Sequence, residues 1–262
     1  MKTLLTLGLV ILLNLGISAQ TNTKQLYLLF EFMQVKSDQT SEYLKVEEFW
    51  SGIHKQRVSD KSILGWDLWS LTPSGKEQGS QYFTVTLFSS LENMLKATES
   101  LDVYAYAKKA YPNKTEKELT AMFDLTVKSR DLAHQVLFRQ IDMTNGDFKM
   151  AVGTMLTMDV MKQLDDSYEK VESEIFKPWH QQMVTEGKKG SWELLQTILP
   201  SGSEAYGTHL TVSMFKDVAQ LAAFMESNGG SWDLKTQLAV QQGLKSRNLR
   251  ETKIARLEKM VR

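Results

Sequence analysis

The chain has 262 residues, 31 basic and 31 acidic side chains, and no cysteine. Missing cysteine excludes disulfides, thiolate metal sites, a catalytic thiol and a lipid anchored on Cys. Balanced charge with no basic stripe or polybasic run gives no footprint for nucleic acid or an anionic membrane surface. A hydrophobic content of 42% is enough for ordinary cores without covalent staples.

The chain opens on a targeting pattern. Lys2 precedes an almost wholly apolar run at 4–15, followed by Ile17-Ser18-Ala19 and the polar Gln20-Thr21-Asn22. This reads as a secretory signal peptide over 1–19, too short for a membrane span of about 20 residues. The expectation is an exported, soluble protein, periplasmic or secreted, with no membrane span and no nucleic-acid partner.

A first unit then reads as strand, helix, strand, strand, helix, strand. Residues 26–33 form a short apolar run apolar on both faces, with Leu28, Phe30 and Phe32 against Tyr27, Leu29 and Met33. Residues 41–58 carry Tyr43, Val46, Trp50 and Ile53 at helical spacing. Alternation at 66–71 and 82–88, around the turn cluster Thr72-Pro73-Ser74-Gly75, predicts a hairpin. A helical region starts at Leu91, breaks near Tyr111-Pro112-Asn113, and restarts on a Thr115 to Glu118 capping-box spacing. Lys128 and Arg130 close it as helix-end cations, and 133–141 is the last strand.

The same order returns after a linker at 142–147. Tyr43 and Glu47 recur as Tyr168 and Glu172, Pro73-Ser74-Gly75 as Pro200-Ser201-Gly202, and Lys128-Ser129-Arg130 as Lys245-Ser246-Arg247. The offsets, 125, 127 and 117, drift while keeping their order, as loop insertions leave a tandem duplication. Strands are predicted at 148–158, 192–199, 208–215 and 252–260, and helices at 165–184 and from about 216, the latter broken at Asn228-Gly229-Gly230 and restarted at Ser231. The fold expectation is α+β: two tandem ferredoxin-like (β-α-β-β-α-β) units over 24–143 and 147–262, with antiparallel sheets packed face to face as a pseudo-dimeric α/β barrel.

With Trp50-Ser51-Gly52-Ile53-His54 at the end of the first helix and Gly65-Trp66 after it, the chain resembles the dimeric α/β-barrel superfamily, two subunits fused in one chain. EthD-like, NIPSNAP and antibiotic-biosynthesis monooxygenase-type domains are nearest in pattern. The second unit departs from the motif, because Pro178-Trp179-His180 sets its Trp next to its His. The resemblance implies a pocket for an aromatic substrate, with cofactor-free oxygenation or cyclisation as its chemistry.

Four sets of residues are candidates. His54 and His180 suit proton transfer or axial ligation, against the plainer reading of helix-end histidines stacked on Trp. Glu47 and Glu172 suit orienting a water, against a solvated or helix-orienting Glu; no His-x-x-x-His spacing or carboxylate cluster supports a metal. Arg139 and Arg256, equivalent in the last strands, suit an anionic ligand group, against an ion pair or a solvated edge. Trp50, Trp179, Trp66 and Trp192 suit a ligand-binding wall, against core filling. No nucleophile elbow, phosphate loop, dinucleotide fingerprint or His-Glu-x-x-His occurs. The expected function is therefore binding of a small, mostly apolar molecule between the two sheets without catalysis or cofactor. The alternatives are a cofactor-independent monooxygenase or cyclase, and a haem-binding protein.

Overall fold

A strand that is apolar on both faces must be covered twice. The computed structural model, which describes residues 25–227 and 233–262, meets this demand by closing the sheet. Its strands are β1 (Tyr27–Gln34), β2 (Gly65–Thr72), β3 (Tyr82–Phe88), β4 (Asp131–Met143), β5 (Met155–Gln163), β6 (Ser191–Leu199), β7 (His209–Phe215) and β8 (Arg247–Val261). They form one closed antiparallel barrel in the order β1-β3-β2-β8-β5-β7-β6-β4.

Both halves run in the same order, β4-β1-β3-β2 and β8-β5-β7-β6. The halves are not simply laid face to face. β2 hydrogen-bonds along β8 and β4 along β6, so each half supplies the other's edge partners and no open edge remains between them. Closure turns one set of side chains inward. Phe30, Phe32, Trp69, Phe83, Phe138, Leu156, Met158, Leu210 and Leu257 form the buried interior. Phe30 stacks on Phe83 at 5.6 Å and meets Phe138 edge-on at 5.0 Å.

The opposite face of each strand packs under helices. In the first half these are α1 (Thr40–Ser59), α2 (Leu91–Ser100), α3 (Val103–Ala110) and α4 (Glu116–Ser129). Tyr43 of α1 and Met94 of α2 join Leu29, Met33, Trp66 and Phe88 in a second buried cluster. The expected capping box is formed: Thr115 caps Glu118 N–H, and the Glu118 carboxylate accepts from Thr115 N–H. In the second half α5 (Tyr168–Val171) runs through a π turn (Glu172–Phe176) into α6 (Lys177–Thr185), followed by α7 (Val218–Glu226) and α8 (Leu234–Gly243). Pro178, without an N–H, cannot bond back to Glu174 where a regular helix would do so, and the wide turn lies just before it. No described helix is long and apolar enough to cross a membrane.

Several sequence expectations shift. The strand expected at 148–158 begins only at Met155, because Thr154 N–H turns back to Ala151 O and Gly153 takes a φ of 96°. Residues 144–150 instead cross one mouth of the barrel. β4 and β8 are longer than expected, since each pairs within its own half and across a seam. The signal peptide at 1–19, the break at Asn228-Gly229-Gly230 and the restart at Ser231 lie outside the described residues.

Candidate functional site

Tyr43, Glu47 and His54 are spaced four and seven apart on α1, so they share one face, and that face is turned to the sheet. All three are buried. Arg130, at the end of α4, brings its Nε to 3.5 Å from Glu47 Oε1. That is a charge contact rather than a good hydrogen bond, and Tyr43 Oη, Glu47 Oε1 and Arg130 Nε are all left without a hydrogen-bond partner. Burial outweighs the pull of Arg130 and raises the Glu47 carboxyl to about 7.

The second half repeats the trio. Tyr168 and Glu172 are buried on the corresponding helix, and Arg247 reaches the Glu172 carboxylate. Burial again raises the carboxyl, with Arg247 opposing. The two most evident repeats of the sequence, Tyr-x-x-x-Glu and Lys-Ser-Arg, are therefore contact partners. Reading Arg130 and Arg247 only as helix-end cations missed this, although their recurrence beside that of the Tyr and Glu was the available signal.

The histidines follow their tryptophans. His54 stacks on Trp66 at 4.8 Å and His180 on Trp192 at 4.9 Å. Trp50 also covers His54 and gives its indole N–H to Thr126, while Trp179 meets His180 edge-on. Each Nδ1 faces a cation, Arg57 Nη1 at 3.3 Å for His54 and Lys189 Nζ at 2.9 Å for His180. Burial and the neighbouring cations hold His54 well below its usual range and pull His180 down to about 2. Lys189 has no counterpart in the first half, where the corresponding residue is the core Ile63. Its ammonium is buried among Trp179, Phe215 and Phe224, where desolvation lowers it to about 7.

Glu47, Trp50, His54 and Trp66 thus converge in the first half, on a cleft of about 380 Å³ between α1, α2 and the outer sheet face, with Arg57, Arg130 and Glu31. His180, Glu172, Trp179 and Trp192 form the matching set in the second half. Glu47 and His54 do not pair with each other; each meets an arginine. Arg139 and Arg256 join neither set. They hold corresponding positions, opposite Tyr27 and Met155, but both are exposed, and Arg256 is engaged by Glu258 at 2.9 Å. Among the described residues no group of three or more His, Asp and Glu side chains is arranged to hold a metal.

Inside the barrel the interior cluster fills the waist and leaves cavities towards both mouths. One, of about 520 Å³, is walled by Leu28, Phe30, Trp69, Val85, Leu195 and Val212 and roofed by the 144–150 crossing. Phe148 packs tightly over Gly190, where any Cβ would run into its ring. Four charged residues reach this chamber: Asp67, Lys149, Glu193 and Arg262. None was singled out from sequence, where a lone acid in a strand carries no signal. The other mouth holds about 350 Å³, lined by Phe32, Val136, Phe138, Met158, Tyr206 and Leu210.

No family model matches the chain, and no curated protein matches it. Solved structures do. A proposed monooxygenase from Fusobacterium nucleatum subsp. nucleatum superimposes with TM-score 0.56 at 10% identity, over 90% of this chain and 94% of that one. An anthrone oxidase-like protein gives 0.55 at 12%, over 91% and 93%. A proposed chlorite dismutase gives 0.50 at 10%, over 90% and 96%. At these identities the likeness is one of fold. The chain shares with these proteins an α+β fold built on a closed eight-stranded antiparallel barrel, with all eight strands supplied here by one polypeptide.

Proposed function

We propose that the protein binds a small, mostly apolar molecule inside the barrel, in the 520 Å³ chamber. One observation carries this reading: closure of the sheet leaves, above a filled waist, a chamber with apolar and aromatic walls and few polar groups, the usual make-up of a small-molecule site. The strand order common to both halves supports two tandem ferredoxin-like units, 24–143 and 147–262, as the origin of this enclosure. Export through the segment at 1–19 belongs to the same proposal, and N-terminal sequencing of the mature protein tests it. For the chamber, native mass spectrometry with the neutral probe 2-(2-naphthyl)ethanol is expected to give a 1:1 adduct that disappears in Met214→Trp, which fills the space. An adduct that survives the filled variant overturns the assignment.

A second reading is an enzyme of the cofactor-independent monooxygenase or cyclase kind, acting in the first-half cleft. Glu47 favours it: a buried carboxyl raised to about 7 is suited to move a proton near neutral pH. Arg57 lines the same cleft, buried, with its Nε unpartnered and, among the described residues, no carboxylate paired to it. That arrangement suits an anionic substrate group. Loss of turnover in Glu47→Gln, with substrate binding retained, is the expected signature on any substrate found.

Haem does not fit His54 as it stands. The Arg57 guanidinium is a donor only, so the His54 Nδ1 must accept and the ring carries its proton on Nε2. A metal-bound histidine has the opposite arrangement, donating its second nitrogen to a carboxylate, carbonyl or water.

A further inference from the structure

Asp67 of β2 and Glu193 of β6 enter the chamber from corresponding positions. Asp67 stands opposite Met260 of β8, and Glu193 opposite Met143 of β4. Two residues beyond Met260 the chain carries Arg262, which grips Asp67 with both arms: Nη1 to Oδ1 at 2.8 Å and Nη2 to Oδ2 at 2.9 Å. Two residues beyond Met143 it carries Asn145. The Asn145 backbone is engaged elsewhere, its N–H donating to Gln181 Oε1 at 2.7 Å and its carbonyl accepting from Gln181 Nε2 at 2.9 Å. Glu193 therefore repeats the setting of Asp67 without the guanidinium.

The hydrogen bond that Glu193 does receive comes from Gln140, Nε2 to Oε2 at 2.9 Å. Close by in sequence, Ser191 Oγ is buried, lines the same chamber and has no hydrogen-bond partner. Lys149 is exposed at the rim and forms no ion pair among the described residues. A carboxylate turned into an apolar enclosure is costly unless a cation meets it. Burial accordingly pushes the Glu193 carboxyl up, and Gln140 recovers only part. The rings of Phe30, Trp69 and Phe148 line the same space, and aromatic rings attract an ammonium group as well as apolar carbon.

We infer that the chamber's ligand is an apolar amine, whose ammonium takes at Glu193 the place that Arg262 takes at Asp67, with Ser191 Oγ accepting a second N–H. The inference rests on the chamber being the binding site, and its test separates the two claims. Isothermal titration compares 2-(2-naphthyl)ethylamine with 2-(2-naphthyl)ethanol at pH 7.5, matching shape and changing only the charged end. The amine is expected to bind about tenfold more tightly, the scale of a charge-assisted contact in a desolvated site. Glu193→Gln is expected to abolish the preference while keeping alcohol binding. Asn145→Arg, which supplies the internal cation, is expected to do the same, and Lys149→Ala to leave the preference intact. Equal affinities in the unaltered protein, or a preference that survives Glu193→Gln, overturn the amine and leave the chamber standing. Binding of neither probe sinks both.

Discussion

His54 lies flat on Trp66, ring centroids 4.8 Å apart and planes 16° apart, and His180 repeats the arrangement on Trp192 at 4.9 Å and 12°. The cation beside each ring is not repeated. Arg57 comes from the same helix as His54, whereas Lys189 comes from the segment before β6. Two different solutions thus hold the two imidazoles neutral.

Neither ring is therefore expected to titrate where histidine normally does. Imidazole NMR signals of His54 and His180 should stay at the neutral position from pH 8 to pH 5. Both pKa values are depressed in the fold, so their contribution to stability is present above about 6.5, the unfolded value, and is lost as pH falls. A midpoint near 6.5 for either ring would contradict the burial described.

Glu47 has the opposite sign. Its folded pKa, about 7, lies above the ordinary 4.5, so its contribution is fully present below 4.5 and is lost as pH rises through 7. Arg130 limits that loss. Arg130→Ala is expected to destabilise by about 3 kcal/mol at pH 8, the scale for stranding one member of a buried ion pair. The cost should shrink at pH 5, where Glu47 holds its proton. Urea unfolding at the two pH values measures this, and equal losses at both would show that the charge contact is not what Arg130 supplies.

Gly190 couples β6 to the roof of the chamber. A methyl at this position collides with the ring of Phe148, which must swing away. Gly190→Ala is expected to weaken binding of 2-(2-naphthyl)ethanol several-fold while changing the melting temperature little, because the displaced ring is the far end of a side chain in an irregular segment. A large fall in melting temperature with unchanged affinity would mean that Phe148 is a structural plug and not part of a ligand site.

The order of elements was legible because alternation and helical spacing are local, and because the chain states them twice. Partnership between distant residues was not. Tyr43, Glu47 and Arg130 could be seen to recur, but only the close packing of α1 on α4 shows that they meet. The stretch 148–152, Phe-Lys-Met-Ala-Val, is as apolar as a strand, and nothing short of the Gly153 turn tells it apart from a cover over a barrel mouth. Asp67 and Glu193 look alike in sequence. Their difference lies two residues beyond the methionine paired to each, where one carries Arg262 and the other Asn145, and that depends on the register of both seams.

The central claim is that the chamber at this mouth of the barrel takes the ligand, and its methionines report on it directly. Met143, Met150, Met214 and Met260 line the chamber, whereas Met158 lines the opposite cavity and Met33 the first-half cleft. In a methyl-labelled NMR titration with 2-(2-naphthyl)ethanol, the first four are expected to shift together and saturably while Met158 and Met33 stay in place. Shifts confined to Met33 or Met158, or no saturable shift at all, would contradict it.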